Sequence, residues 1–113
     1  MALTAHVKFA DVHDGGLLTL WTRDADDPRP TFADETSSYA PSGALEVYRD
    51  DESEAFVGLW HDQPTRFLED YAFLRALELP AVDCPEAGLR GAHPADVMLW
   101  GLRHLAPRPT QAA

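Results

Sequence analysis

The 113-residue sequence predicts an α+β domain: a four-stranded antiparallel sheet, made of two hairpins, that two C-terminal helices cover on one face. Two observations predict this fold class. In the first sixty residues, two pairs of short apolar segments each enclose a turn. In the second half, proline opens two longer amphipathic segments. Because the strands precede the helices along the chain, the pattern favours an α+β domain over alternating α/β units.

The first predicted hairpin joins residues 3–9 to residues 17–22. In residues 3–9 every second side chain is apolar, which is the period of a half-buried strand. The sequence Asp14-Gly15-Gly16 favours a tight turn, because Asp-Gly tolerates positive backbone dihedral angles. Residues 17–22 then form the returning strand.

The second predicted hairpin joins residues 44–49 to residues 55–60 through an acidic tip at 50–54. Between the hairpins, residues 24–43 contain three prolines and few apolar side chains. A loop of this length is unusual inside a compact domain, so it is either a long surface crossover or a binding loop.

The first predicted helix runs from Pro64 to about Glu78, and the second runs from Pro94 to about Leu105. Apolar side chains cover well over half the circumference of the first helix, which predicts burial on more than one side and allows a homodimer. We expect one domain over residues 1–106 and a flexible tail over residues 107–113.

Negative charge is concentrated in the front half of the chain. The net charge is −10, and residues 1–62 carry thirteen Asp or Glu against four Lys or Arg. A charge of this sign argues against direct binding to nucleic acid or to an anionic membrane. It favours a basic partner protein.

Several general classes of protein are not indicated by the sequence. We expect a soluble, cytoplasmic protein, because the N-terminal segment lacks a signal pattern and no stretch approaches the roughly 20 apolar residues of a membrane span. Cys84 is the only cysteine, so an intrachain disulfide is excluded.

The spacing of Cys84 and Arg90 is that of phosphatase loops, in which backbone N–H groups surround an oxyanion and a thiolate attacks it. That geometry also requires a helix beginning at the arginine, but further residues separate Arg90 from the second helix. The carboxylates of Asp83 and Glu86 would raise the thiol pKa and repel phosphate. A buried connector cysteine is therefore the preferred interpretation.

Metal and cofactor sites receive little support from the sequence. His13-Asp14 and His61-Asp62 are histidine–aspartate pairs, but both lie at predicted turns where Asp is expected for local reasons. The acidic segment 24–27 lacks the glycine and the closing glutamate of a calcium loop. We expect no metal and no cofactor.

The preferred hypothesis is a binding module that neutralises or escorts a basic protein partner, rather than an enzyme. Bacterial immunity proteins, antitoxins, secretion chaperones and inhibitors share this size and charge, which is an analogy of composition. The predicted contact residues are the acids of the long loop and of the hairpin tip: Asp24, Asp26, Asp27, Asp34, Glu35, Asp50, Asp51, Glu52 and Glu54.

The alternative hypothesis is a small enzyme or ligand-binding domain. Its pocket would lie near Cys84, Arg90, His93 and His61, between the sheet and the loops at 24–43 and 79–93. This hypothesis requires those side chains to converge in space.

Overall fold

The computed structural model describes residues 3–11, 16–24 and 26–106. Most of the predicted turn at 14–16 and the predicted tail at 107–113 lie outside the described residues. The helices are α1 (Phe67–Ala76) and α2 (Pro94–His104). The strands are β1 (Leu3–Thr4), β2 (His6–Ala10), β3 (Leu17–Trp21), β4 (Thr31–Ala33), β5 (Leu45–Asp50), β6 (Phe56–His61), β7 (Val82–Cys84) and β8 (Leu89–Ala92).

The α+β class is confirmed, but the prediction of one four-stranded sheet is wrong. The larger sheet has five antiparallel strands in the order β2-β3-β6-β5-β4. Its four long strands correspond to the two predicted hairpins. The additional edge strand β4 lies inside the segment predicted to be a loop, where Thr31 is opposite Asp50. Three residues are too few to show a period in the sequence.

A second, three-stranded sheet has the order β1-β7-β8. β1 runs parallel to β7, with Leu3 opposite Val82, and β8 runs antiparallel to β7. The chain passes from the small sheet to the large one at Ala5, whose N–H donates to the carbonyl of Asp83 at 2.8 Å. The segment 79–93, predicted as a connector, therefore supplies two strands of a separate sheet.

The prediction that two helices cover the sheet is also wrong in part: both helices lie on one side of it, but only α2 packs broadly on its strands. Helix α2 packs on β2 and β3, whereas α1 packs mainly on α2. Gly101 allows the close approach of α2, because an added Cβ would lie 2.7 Å from Cγ2 of Val7. In α1, Phe67 and Leu74 are fully buried but Leu68 is 63% exposed, so part of its apolar circumference faces solvent.

The core lies between the larger sheet and the helices. The alternate residues of β2, β3 and β6 that point toward the helices include Leu18, Leu20 and Leu59, all fully buried. Both α-helices lie on this side of the sheet, since Gly101 contacts Val7 and Phe67 contacts the ring of His61. We call the opposite side the open face; it carries His6, Lys8, Thr19, Trp21, Tyr48 and Trp60.

Candidate functional site

The two acidic segments of the sequence meet at one end of the larger sheet. Pairing of β4 with β5 brings the loop before Thr31 beside the hairpin tip after Asp50. The backbone N–H of Asp51 donates to the carbonyl of Pro30 at 3.0 Å, which joins the two segments directly. We call this region, residues 24, 26–30 and 50–54 together with 34–35, the acidic end.

Arginines within the chain hold three of the nine predicted contact acids. Asp27 accepts from Nη2 of Arg29 at 2.7 Å, and Asp34 accepts from Nε of Arg49 at 2.6 Å. The third acid, Asp50, pairs with Arg23. Hydrogen bonds from Arg29 hold the pKa of Asp27 far below its usual value, and those from Arg49 lower the pKa of Asp34. These acids stabilise the loops.

Asp50 organises the hairpin tip. Its carboxylate accepts from the backbone N–H groups of Ser53 and Glu52, both at 2.9 Å, and binds the guanidinium of Arg23. The backbone bond from Ser53, with those from Glu52 and Arg23, lowers the pKa of Asp50 to about 2. The side chain is only 5% exposed, so a partner has little access to it.

The other six predicted contact acids are exposed. In the described part of the chain their side chains form no ion pair with Lys, Arg or His. They are available to a partner in a way that Asp27, Asp34 and Asp50 are not. The six are Asp24, Asp26, Glu35, Asp51, Glu52 and Glu54.

Three aromatic side chains form a cluster on the open face. The ring centroids of Trp21 and Tyr48 are 5.8 Å apart, those of Trp21 and Trp60 are 5.9 Å apart, and those of Tyr48 and Trp60 are 5.3 Å apart. All three residues are partly exposed. Trp21 lies over Gly58, where an added Cβ would be 2.6 Å from the indole ring and 2.4 Å from the carbonyl oxygen of Leu20. The absence of a side chain at Gly58 therefore leaves room for the indole of Trp21 in this position.

A groove of about 590 Å³ lies beside this cluster. Strands β2 and β3 form one side, and the loop that follows β3 forms the other. A bulge between β5 and β6 separates the pairings of Gly58 and Phe56, and the intervening Val57 lines the groove. The lining side chains include three of the chain's nine Lys and Arg residues: Lys8, Arg23 and Arg29. No local pattern in the sequence indicates this groove, because β2 and the loop that form its sides are about twenty residues apart in the chain.

A serine, a histidine and an aspartate meet in the interior, but not as a catalytic triad. Nε2 of His61 donates to Oδ2 of Asp70 at 2.6 Å, and the hydroxyl of Ser42 donates to the same oxygen. In a triad the serine and the acid bind opposite nitrogens of the histidine. Here the backbone N–H of Gln63 donates to Nδ1 at 3.3 Å, and both His61 and Asp70 are fully buried. These hydrogen bonds connect the loop at Ser42 to α1 through Asp70.

Cys84 is fully buried, and its thiol donates to Glu86 at 3.0 Å. Glu86 also accepts from Nδ1 of His6 at 2.6 Å. Burial, together with the Glu86 carboxylate, raises the pKa of the Cys84 thiol. This environment disfavours the thiolate that a nucleophile requires.

Arg90 and His93, two other members of the alternative site, lie on different elements. Strand β8 returns antiparallel to β7, with Leu89 opposite Cys84, so the chain forms a hairpin here, with Arg90 exposed on β8. Nδ1 of His93 accepts from the N–H of Ala95 at the start of α2, while Nε2 donates to the carbonyl of Leu77 at 2.9 Å. The ring of His93 therefore has a structural role.

None of the helices described is long and apolar enough to cross a membrane. Within residues 3–11, 16–24 and 26–106, no three His, Cys, Asp or Glu side chains are grouped as a metal site would require. No protein-family model, no curated protein and no solved structure matches this chain.

Proposed function

We propose that the protein is a binding module that neutralises or escorts a basic protein, and that the acidic end is its contact surface. The observation that carries this proposal is the convergence of the two acidic segments through the pairing of β4 with β5. Acids that are twenty residues apart in the sequence thereby form one surface. A concentrated field of one sign accelerates encounter with a partner of opposite charge.

The internal ion pairs divide the nine predicted contact acids into two groups. Arg23, Arg29 and Arg49 neutralise the acids that shape the loops, and the six exposed acids remain outside these pairs. We therefore assign partner contact to the exposed acids and a supporting role to Asp27, Asp34 and Asp50. The competing explanation is that the acids serve solubility alone.

A charge-neutralising triple variant tests the proposal. D24N/D26N/E52Q removes three exposed charges from the acidic end without touching an ion pair. The matched control D11N/D62N/E78Q also removes three exposed charges, two of them (Asp11 and Asp62) at the opposite end of the larger sheet. Both variants therefore have the same net charge.

The measurement begins with capture from an extract of the source organism at low and moderate salt, followed by association kinetics with the purified partner. We expect a basic partner whose association with D24N/D26N/E52Q is about tenfold slower and less dependent on salt, while dissociation changes less. The control should associate at close to the wild-type rate. If both triple variants behave alike, net charge alone matters and the acidic end is not a contact surface.

Two further hypotheses remain proposals. A homodimer would be detected by sedimentation of the purified chain. The enzyme alternative rests on Cys84, Arg90, His93 and His61, and requires C84S to abolish an activity while the protein remains folded. The contact of His93 with α2 and the burial of His61 favour the binding module over this alternative.

A further inference from the structure

The groove on the open face has the dimensions of a small-molecule site. Its volume of about 590 Å³ falls within the range of roughly 300–1,000 Å³ that is typical of ligand pockets. Its floor combines the apolar surface of Trp21 and Val57 with the hydroxyl of Thr19. An apolar floor with a few polar groups is the usual composition of such a site.

The indole of Trp21 is held in place before any ligand arrives. It lies over Gly58, meets the edge of Trp60 at an interplanar angle of 89° and packs against Tyr48 at 33°. A ring fixed in this way loses little conformational entropy when a planar molecule packs on it. The floor therefore favours a flat, aromatic ligand.

Charged side chains line the walls of the groove. Arg23 and Arg29 both contact the carboxylates of Asp27 and Asp50, so two positive charges are matched by two negative ones. His6 is held through Nδ1 by Glu86.

Lys8 is different from the other basic groups of the groove. It is the only lysine of the chain, and in the described residues its ammonium group has no hydrogen bond or ion pair. It lies on β2 opposite Thr19, two residue pairs along the sheet from Trp21 and on the same face. Asp24, on the rim, likewise forms no ion pair within the part of the chain that the structure describes.

We propose that this groove binds a small molecule with a planar aromatic body and one anionic group. The aromatic body packs on Trp21 and the anion pairs with the ammonium group of Lys8. This inference does not rest on the proposed function, because the side chains that bind the ligand, Trp21 and Lys8, lie outside the acidic end and the ligand is of a different class. Ligand binding in the groove also requires no residue of the basic partner.

Three small molecules test the contributions of the aromatic ring and of the negative charge separately. 1-Naphthoate carries both the ring and the charge, 1-naphthamide keeps the ring without the charge, and cyclohexanecarboxylate keeps the charge without the aromatic ring. Affinity is measured by calorimetry. The location is read from the indole N–H signals of the three tryptophans in a ¹⁵N-correlated NMR spectrum. These signals are assigned with W60F and W100F, each of which removes one of the three.

We expect 1-naphthoate to bind most tightly and to shift the Trp21 indole signal while leaving that of Trp100 unchanged. K8Q should weaken 1-naphthoate about tenfold and leave 1-naphthamide within twofold, because only the carboxylate pairs with the ammonium group. R103Q, which removes an exposed cation from α2, is the matched control and should leave both affinities unchanged. Lys8 is on a strand surface, so K8Q should fold normally.

Three results would overturn the inference: no binding of 1-naphthoate at millimolar concentration, equal affinities for the acid and the amide, or an equal loss with K8Q and R103Q. The variant D24N/D26N/E52Q distinguishes this site from the acidic end. It should bind 1-naphthoate at least as tightly as the wild type, because removing Asp24 reduces repulsion at the rim. Failure of the groove would leave the test of the acidic end unaffected.

Discussion

The two faces of the larger sheet are made from the same strands but have different chemistry. On the helix side, Leu18, Leu20 and Leu59 are fully buried. On the open face, the neighbouring positions hold Thr19 and Trp21, with Lys8 opposite Thr19. The hydrophobic effect determines one face, because exposing it would cost stability. The other face is free to carry charged and aromatic groups.

The two faces also differ in how they hold polar groups. On the helix side, Asp70 and His61 are fully buried and bonded to each other. At the acidic end beside the open face, three carboxylates are bound by arginine and six are exposed. Buried polar groups therefore strengthen the packing of the core, whereas exposed ones remain available for binding.

The largest expected effect comes from the helix side. Phe67→Ala removes a fully buried ring that contacts His61 and Tyr71, and should lower the free energy of unfolding by about 3–5 kcal/mol. Urea denaturation gives the value. Leu68→Ala, at the adjacent and 63% exposed position, is the control and should change stability by less than about 0.5 kcal/mol. Similar losses in both variants would mean that α1 does not face the core as described.

A smaller effect is expected on the open face. Gly58→Ala places a Cβ against the carbonyl of Leu20 and the ring of Trp21, and should cost about 1–3 kcal/mol. It should also move the Trp21 indole N–H signal. Gly101→Ala meets Val7 on the helix side, so it should destabilise the protein while moving the Trp21 signal much less. If Gly58→Ala leaves the Trp21 signal in place, this glycine does not position the aromatic cluster.

The smallest effect on stability is expected when the pH is lowered. The pKa of Asp50 is lowered from 3.8 to about 2, so its ionised form stabilises the folded protein above about pH 4. This stabilisation is lost as the pH falls toward 2, and the melting temperatures of wild type and D50N should converge over that interval. D51N, at an exposed neighbour, should track the wild type throughout. A gap that stays constant down to pH 2 would show that Asp50 does not contribute through its charge.

Prediction from the sequence succeeded where the signal was local. The alternation in residues 3–9 and the returning strand predicted over residues 17–22 correspond to β2 and β3, and Pro94 begins α2 as predicted. Strand β4 was missed because three residues carry no measurable period, and β1 was not separated from β2 for the same reason. The pairing of Leu3 with Val82 links residues that no local pattern connects.

The candidate sites show the same division. The acids of the acidic end were visible in the sequence, but their separation into supporting and exposed groups depends on where Arg23, Arg29 and Arg49 lie. The exposure of Arg90 and the structural bonds of His93 were equally invisible. Most of these outcomes depend on contacts between distant residues, such as Arg23 with Asp50 and His93 with Leu77, although the pairing of Arg29 with Asp27 is local.

The sequence by itself determined the α+β class, the two hairpins, the start of α2 at Pro94 and the acidic front half, because periodicity, proline and charge act locally. At Pro64 a 3₁₀ turn (Pro64–Arg66) begins, and α1 follows only from Phe67 to Ala76, so it is shorter than the predicted helix. Only the tertiary structure decided the second sheet, the single acidic end and the groove over Trp21. Each of these requires strands or loops that are distant in the chain to pair, and such pairing depends on the packing of the whole domain rather than on any one segment.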